Sequence, residues 1–155
     1  MKKKLNCLIL CLAAAALILC PVSHGESGFL PEDPEPAAVD LDLSALNSTL
    51  LYAQLYNLLS DPEPYYGKII RMPGSYSAYE DEAQDLVYHA CLVTDATACC
   101  SLGLEFLWAG EHAWPEDYPC EGDAILVTGR LEVYEENGLY YLRLADAALD
   151  LLPEN

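Results

Sequence analysis

Four cysteines and one histidine are the residues of this 155-residue chain best equipped for chemistry. Cys91, Cys99, Cys100 and Cys120 all lie in its second half, and His89 stands two positions before Cys91. Residues two apart share a strand face, so His89 and Cys91 are expected to point the same way. With Cys99 or Cys100 and with Cys120 they make a conceivable tetrahedral set for zinc, one histidine with three cysteines. The Cys-x-x-Cys spacing that would mark such a site strongly is absent. The same thiols, an even number in a chain with an export-like leader, also suggest disulfides. A Cys99–Cys100 bridge strains the peptide between neighbours, which makes Cys91 and Cys120 the candidate partners. Free thiols are the third alternative, and the pairing itself is not legible in the sequence.

Other chemistry finds less support. The chain has no G-x-S-x-G, no H-E-x-x-H, no P-loop and no C-x-x-C, so a non-enzymatic role is expected. A Cys99–His112 nucleophile pair lacks any residue that would orient the base. Two acidic runs, Glu80-Asp81-Glu82 with Asp85 and Glu116-Asp117, lack the order of a helical calcium loop and read as solvated surface. Tyrosines are plentiful: Tyr76, Tyr79, Tyr88, Tyr134, Tyr140 and Tyr141 fall on expected strands, with Trp114 and Tyr118 in a long loop. They read first as cross-strand pairs on a pleated surface, and secondly as a stacking platform for a ligand.

Charge narrows the ligands. The chain carries 7 basic and 25 acidic residues, a net of −18. Lys2, Lys3 and Lys4 precede an apolar run from Leu5 to Leu19, Pro21 ends it, and Ser23-His24-Gly25 offers a cleavage site. This is the pattern of a signal peptide over 1–25, too short for a membrane span. Removing it leaves four basic residues against the same 25 acids, a net of −21. Such a balance excludes nucleic acid and anionic lipid as partners, and leaves protein, peptide or saccharide. Cys20 after Leu17-Ile18-Leu19 adds a second route, lipidation, although the residue before it is not small. The expected location is therefore outside the cytoplasm, secreted or anchored to the outer face of the membrane, with membrane contact only through the leader or a lipid.

Residues 26–42 alternate Pro31, Pro34 and Pro36 with acids and read as an extended, disordered linker. Residues 43–61 read as an amphipathic helix, with leucines at helical spacing, a cap at Asp42 or Ser44, and a stop at Asp61-Pro62. Past Gly67 the pattern changes to strands over 68–79, 86–94, 100–108, 123–134 and 139–145. In the third, Cys100, Leu102, Leu104, Phe106 and Trp108 alternate with Cys99, Ser101, Gly103 and Glu105. Asn137-Gly138 between the last two is a strong hairpin signal.

One internal echo stands out. Gly67, Gly74, Tyr79 and Glu80 recur at the same offsets as Gly122, Gly129, Tyr134 and Glu135, 55 positions on. Two strands that each begin after a glycine and bend at a second one fit a small coiled barrel. Five such strands, with "GKIIRMPG" from Gly67 and "GDAILVTG" from Gly122, resemble the OB-fold over residues 67–152. The chain is also similar to small exported bacterial proteins carrying Asp95-Ala-Thr-Ala-Cys-Cys100 followed by Gly103-Leu-Glu-Phe106. The resemblance implies a mainly β protein: a small five-stranded OB-like barrel preceded by one α-helix, a signal-peptide helix and a linker. It is nearly silent on function. The expected function is an exported, non-enzymatic binding or scaffold module at the cell surface. The alternative is a metal- or redox-responsive module built on His89, Cys91, Cys99, Cys100 and Cys120.

Overall fold

The computed structural model describes residues 38–153. The expected signal peptide with Cys20, and residues 26–37 of the expected linker, lie outside the described residues. The described chain is mainly β, with one α-helix and a six-stranded mixed sheet. Its elements are β1 (Leu41–Asp42), α1 (Ser48–Ser60), β2 (Ile69–Asp81), β3 (Leu86–Thr94), β4 (Ser101–Trp108), β5 (Ala124–Glu136) and β6 (Leu139–Leu151). Among the described residues no helix is long and apolar enough to cross a membrane.

Two expectations before β2 are corrected. The linker ends earlier than residue 42, because Leu41 and Asp42 pair in parallel with Ile70 and Arg71 of β2. The Asp40 carboxylate accepts from the Ile69 N–H at 2.8 Å, and Leu43 is fully buried, which fixes the segment as strand. The helix starts at Ser48 rather than residue 43. Asp42 spends its carboxylate on the Ser44 N–H and hydroxyl at 2.9 and 2.6 Å, closing a turn instead of capping a helix. Asn47 is the cap, its side chain accepting from the Leu50 N–H at 3.0 Å. Leu51, Leu55 and Leu58 then form the buried stripe of α1, which packs on β3 and β4.

The sheet order is β1-β2-β3-β4-β6-β5, and β2 pairs with β5 as well. The first half of β2, Ile69 to Ser75, is antiparallel to β5. Its second half, Ser75 to Asp81, is antiparallel to β3. β4 and β6 run parallel, joined at Glu105↔Arg143 and Phe106↔Leu144. β6 continues to Leu151 rather than ending at Ala145, because β5 supplies partners along its whole length.

The 55-residue echo is built into this pairing. Ile70 faces Gly129, Gly74 faces Ile125, and Met72 faces Val127 between them. The two glycine-bent segments thus meet about a local pseudo-dyad that passes between Met72 and Val127. Gly74 sits where β2 passes from β5 to β3; a Cβ there would lie 2.5 Å from the Leu92 carbonyl oxygen and 2.6 Å from Cys91 Sγ. Gly129 sits in the bulge where the β5–β6 register shifts between Thr128 and Arg130. Close approach, not an unusual φ, is why both positions take glycine. Ile70, Met72, Ile125, Val127, Leu131, Leu144, Leu104 and Phe106 fill the core beside Tyr76 and Cys91. The expected inward face of the third strand holds for Leu104 and Phe106, but Cys100 precedes β4 and is exposed. Val133 is also exposed, because β5 has by then left the core and entered the hairpin that Asn137 and Gly138 close, both at positive φ of 52° and 79°.

Candidate functional site

An open cleft of about 410 Å³ lies between the tip of the β2–β3 hairpin and the tip of the β5–β6 hairpin, floored by Ala90 of β3 and Glu105 of β4. The echo that pairs β2 with β5 also furnishes both walls. Tyr79, opposite Tyr88 in the β2–β3 register, sets their ring centroids 6.3 Å apart. Tyr134, the counterpart of Tyr79, is opposite Tyr141 and stacks on it at 5.5 Å. The cross-strand pairing expected of the tyrosines is therefore present, and the two pairs line one cavity.

Hydrogen bonds lock these rings across the cleft. The Tyr88 hydroxyl donates to Glu136 Oε1 at 2.7 Å, joining β3 to β5. The Tyr134 hydroxyl donates to Glu105 Oε2, joining β5 to β4. Both phenols are harder to ionise as a result. Tyr88 is pushed up to about 12, first by its bond to Glu136 and then by burial. Tyr134 is raised by burial and then by its bond to Glu105. Each carboxylate offers roughly four acceptor sites, so Glu105 and Glu136 keep lone pairs free after accepting one phenol. Asp81 adds a third carboxylate to the lining, and Lys, Arg and His contribute nothing to it. A second cavity of about 270 Å³ shares Tyr88, Glu105, Tyr134 and Glu136 with the first. There the Arg143 guanidinium lies over the Tyr134 ring at 4.5 Å and pairs with Glu132 at 2.6 Å.

The five expected metal ligands do not converge. His89 and Cys91 do share the inner side of β3, but both are spent on packing. His89 Nδ1 is 2.7 Å from the Tyr76 hydroxyl, and its ring stacks on Tyr118 at 4.0 Å. Burial pulls its pKa down to about 4, so it is neutral at physiological pH. The Cys91 thiol is fully buried and pushed up to about 12 by desolvation. Cys120 is exposed. Among the described residues the one cluster with metal-like spacing is Asp95, Cys99 and Cys100, whose ligand atoms all lie within 4.8 Å of one another. All four described cysteines are free thiols in this structure. His112 stacks on Trp108 at 3.6 Å and makes no hydrogen bond to Cys99.

One further reading is adjusted. Tyr76 is a core residue, 1% exposed, and Trp114 and Tyr118 of the long loop pack around it with His89. In the acidic runs, Asp81 closes the hairpin turn by accepting from the Ala83 and Gln84 N–H groups, and Asp117 accepts from the Ala113 N–H. The sequence does not single out Glu105, Glu136 or Asp95 as functional. The alternation that places Glu105 on the outer face of the third strand is the available signal for the first. Compared with known proteins, the chain matches no family model, no curated protein and no solved structure.

Proposed function

We propose that the chain is an exported, non-enzymatic binding module, an OB-like five-stranded barrel whose cleft takes a cationic peptide segment carrying lysine or arginine. The barrel reading rests on the circuit of pairings β2-β3-β4-β6-β5-β2, on the parallel β4–β6 pair, and on the close approaches at Gly74 and Gly129. Export rests on the N-terminal sequence pattern.

The observation that carries the ligand class is the imbalance of the cleft. It combines four tyrosine rings with three carboxylates and holds no basic side chain. The Tyr88 and Tyr134 hydroxyl hydrogens are already committed to Glu136 and Glu105, which keep further lone pairs free, and no basic group offsets the negative charge of the lining. A ligand that donates, and that sits over ring faces, satisfies both features at once. Guanidinium and ammonium groups do this, with about 0.5–2 kcal/mol available per cation over a ring. Arg143 over Tyr134 already shows such a contact at the cleft's border.

The test is binding of a fluorescent oligo-arginine peptide by the full chain. Glu105→Gln with Glu136→Gln is expected to weaken binding about tenfold or more, since the amides still accept from the tyrosines but lose their charge. Glu80→Gln with Glu82→Gln removes the same charge outside the cleft and is expected to change affinity less than about twofold. Equal losses from both pairs overturn the proposal, because they reduce binding to general charge. A neutral oligosaccharide that binds where the peptide does not overturns it in favour of a sugar site.

A further inference from the structure

We propose that the turn between β3 and β4 is a chelating site for a thiophilic divalent ion of the zinc group, held by Cys99 Sγ, Cys100 Sγ and the Asp95 carboxylate. Adjacent residues on a strand point to opposite faces. Cys99 and Cys100 escape that rule because they stand before Ser101, where β4 begins, and follow Ala98, whose φ is +54°. Their sulfurs consequently lie 3.5 Å apart on one side of the chain. Asp95 reaches back over the turn. Its Oδ1 accepts from the Cys99 N–H at 2.9 Å, and its Oδ2 lies 3.3 Å from Cys99 Sγ. The Asp95 N–H donates to the Cys100 carbonyl at 3.0 Å, and the Ala98 N–H to the Asp95 carbonyl at 3.0 Å, which holds the three donors in place.

These separations fit an ion. With zinc–sulfur bonds of about 2.3 Å, sulfurs 3.5 Å apart subtend roughly 100° at the metal, near the tetrahedral angle. With a zinc–oxygen bond of about 2.1 Å, a tetrahedral sulfur–oxygen edge is roughly 3.6 Å, a few tenths from the 3.3 Å present. Two thiolates with one carboxylate suit a borderline-soft ion better than calcium or magnesium, which prefer oxygen alone. Both cysteines are exposed, so water can complete the shell. No basic side chain neutralises the carboxylate: the described ion pairs engage Asp42, Glu132 and Asp146, not Asp95. Binding replaces two thiol protons by one dication, and both protons leave to solvent. The site is at the far end of β3 from Tyr88, so it stands or falls independently of the cleft.

The test is cadmium titration of the reduced full chain, read by the thiolate-to-cadmium absorbance band, with zinc as competitor. Relative to the unmodified chain, Cys99→Ser and Cys100→Ser are each expected to remove one equivalent of ion and its two released protons. Asp95→Asn, which still accepts from the backbone, is expected to weaken that equivalent about tenfold. Cys120→Ser is expected to leave it unchanged, and the circular dichroism of all four variants is expected to match the parent. An unchanged equivalent in Cys99→Ser and Cys100→Ser overturns the assignment. So does its loss in Cys120→Ser.

Discussion

Replacing Gly74 by alanine probes the packing on which the whole arrangement depends. The added Cβ would sit 2.5 Å from the Leu92 carbonyl oxygen and 2.6 Å from Cys91 Sγ. Neither neighbour can swing aside: one is backbone, and the other is a fully buried side chain. β2 and β3 must therefore part by about 0.9 Å to restore ordinary contact, next to the Ser75↔Leu92 pair. Overpacking of this kind costs about 1–3 kcal/mol. Weakening one adjacent ladder bond adds about 1 kcal/mol. Alanine also restricts the unfolded chain, which returns roughly 0.5–1 kcal/mol. The expected net destabilisation is about 1–3.5 kcal/mol. At Gly129 the nearest contacts are 2.9 Å to Leu144 Cβ and 3.0 Å to the Ala145 oxygen, so Gly129→Ala should cost less. Urea unfolding followed by circular dichroism measures both, with the slope checked for constancy. A Gly74→Ala protein as stable as the parent, or more stable than Gly129→Ala, would refute the close approach of β2 to β3.

Two pH-dependent outcomes follow from the site. The Tyr88 phenol, raised from 10.0 to about 12, should ionise late in an ultraviolet titration, and Glu136→Ala, which removes the acceptor, should bring it back toward the ordinary range. Its contribution to stability is complete below pH 10 and is lost as pH rises toward 12, because the unfolded chain releases that proton first. His89 shifts the other way, from 6.5 to about 4, so its contribution is complete above pH 6.5 and is lost as pH falls toward 4. The His89 ring signals in a proton NMR titration should stay in the neutral position down to about pH 5, and titration near 6.5 would contradict its burial.

The sequence disclosed the strands better than it disclosed the site. Period-2 alternation located β4 and its core residues Leu104 and Phe106, because one face of that strand is buried. The glycine echo was legible as a bend signal, and it marks where β2 and β5 meet. The helix start was not legible, since Asp42, Ser44 and Asn47 are all competent caps and only the turn at Asp42 decides among them. Residues 40–42 looked like linker because two strand residues carry too short a pattern to register. The metal expectation gathered cysteines by type, but separation in space assigned Cys91 to the core, and the turn at Ala98 joined Cys99 with Cys100. The cleft was the hardest to foresee. Tyr79 and Tyr134 were visible as a repeated pair, yet the glutamates that hold the tyrosines come from other strands and carry no local motif.

The claim that the two hairpin tips enclose a site for a cationic segment is tested most directly by NMR, with the full chain isotopically labelled and titrated with oligo-arginine. The account predicts saturable shifts concentrated at Tyr79, Tyr88, Glu105, Tyr134 and Glu136. Shifts spread evenly over the acidic surface, or centred on the loop at Glu116–Asp117, would contradict it.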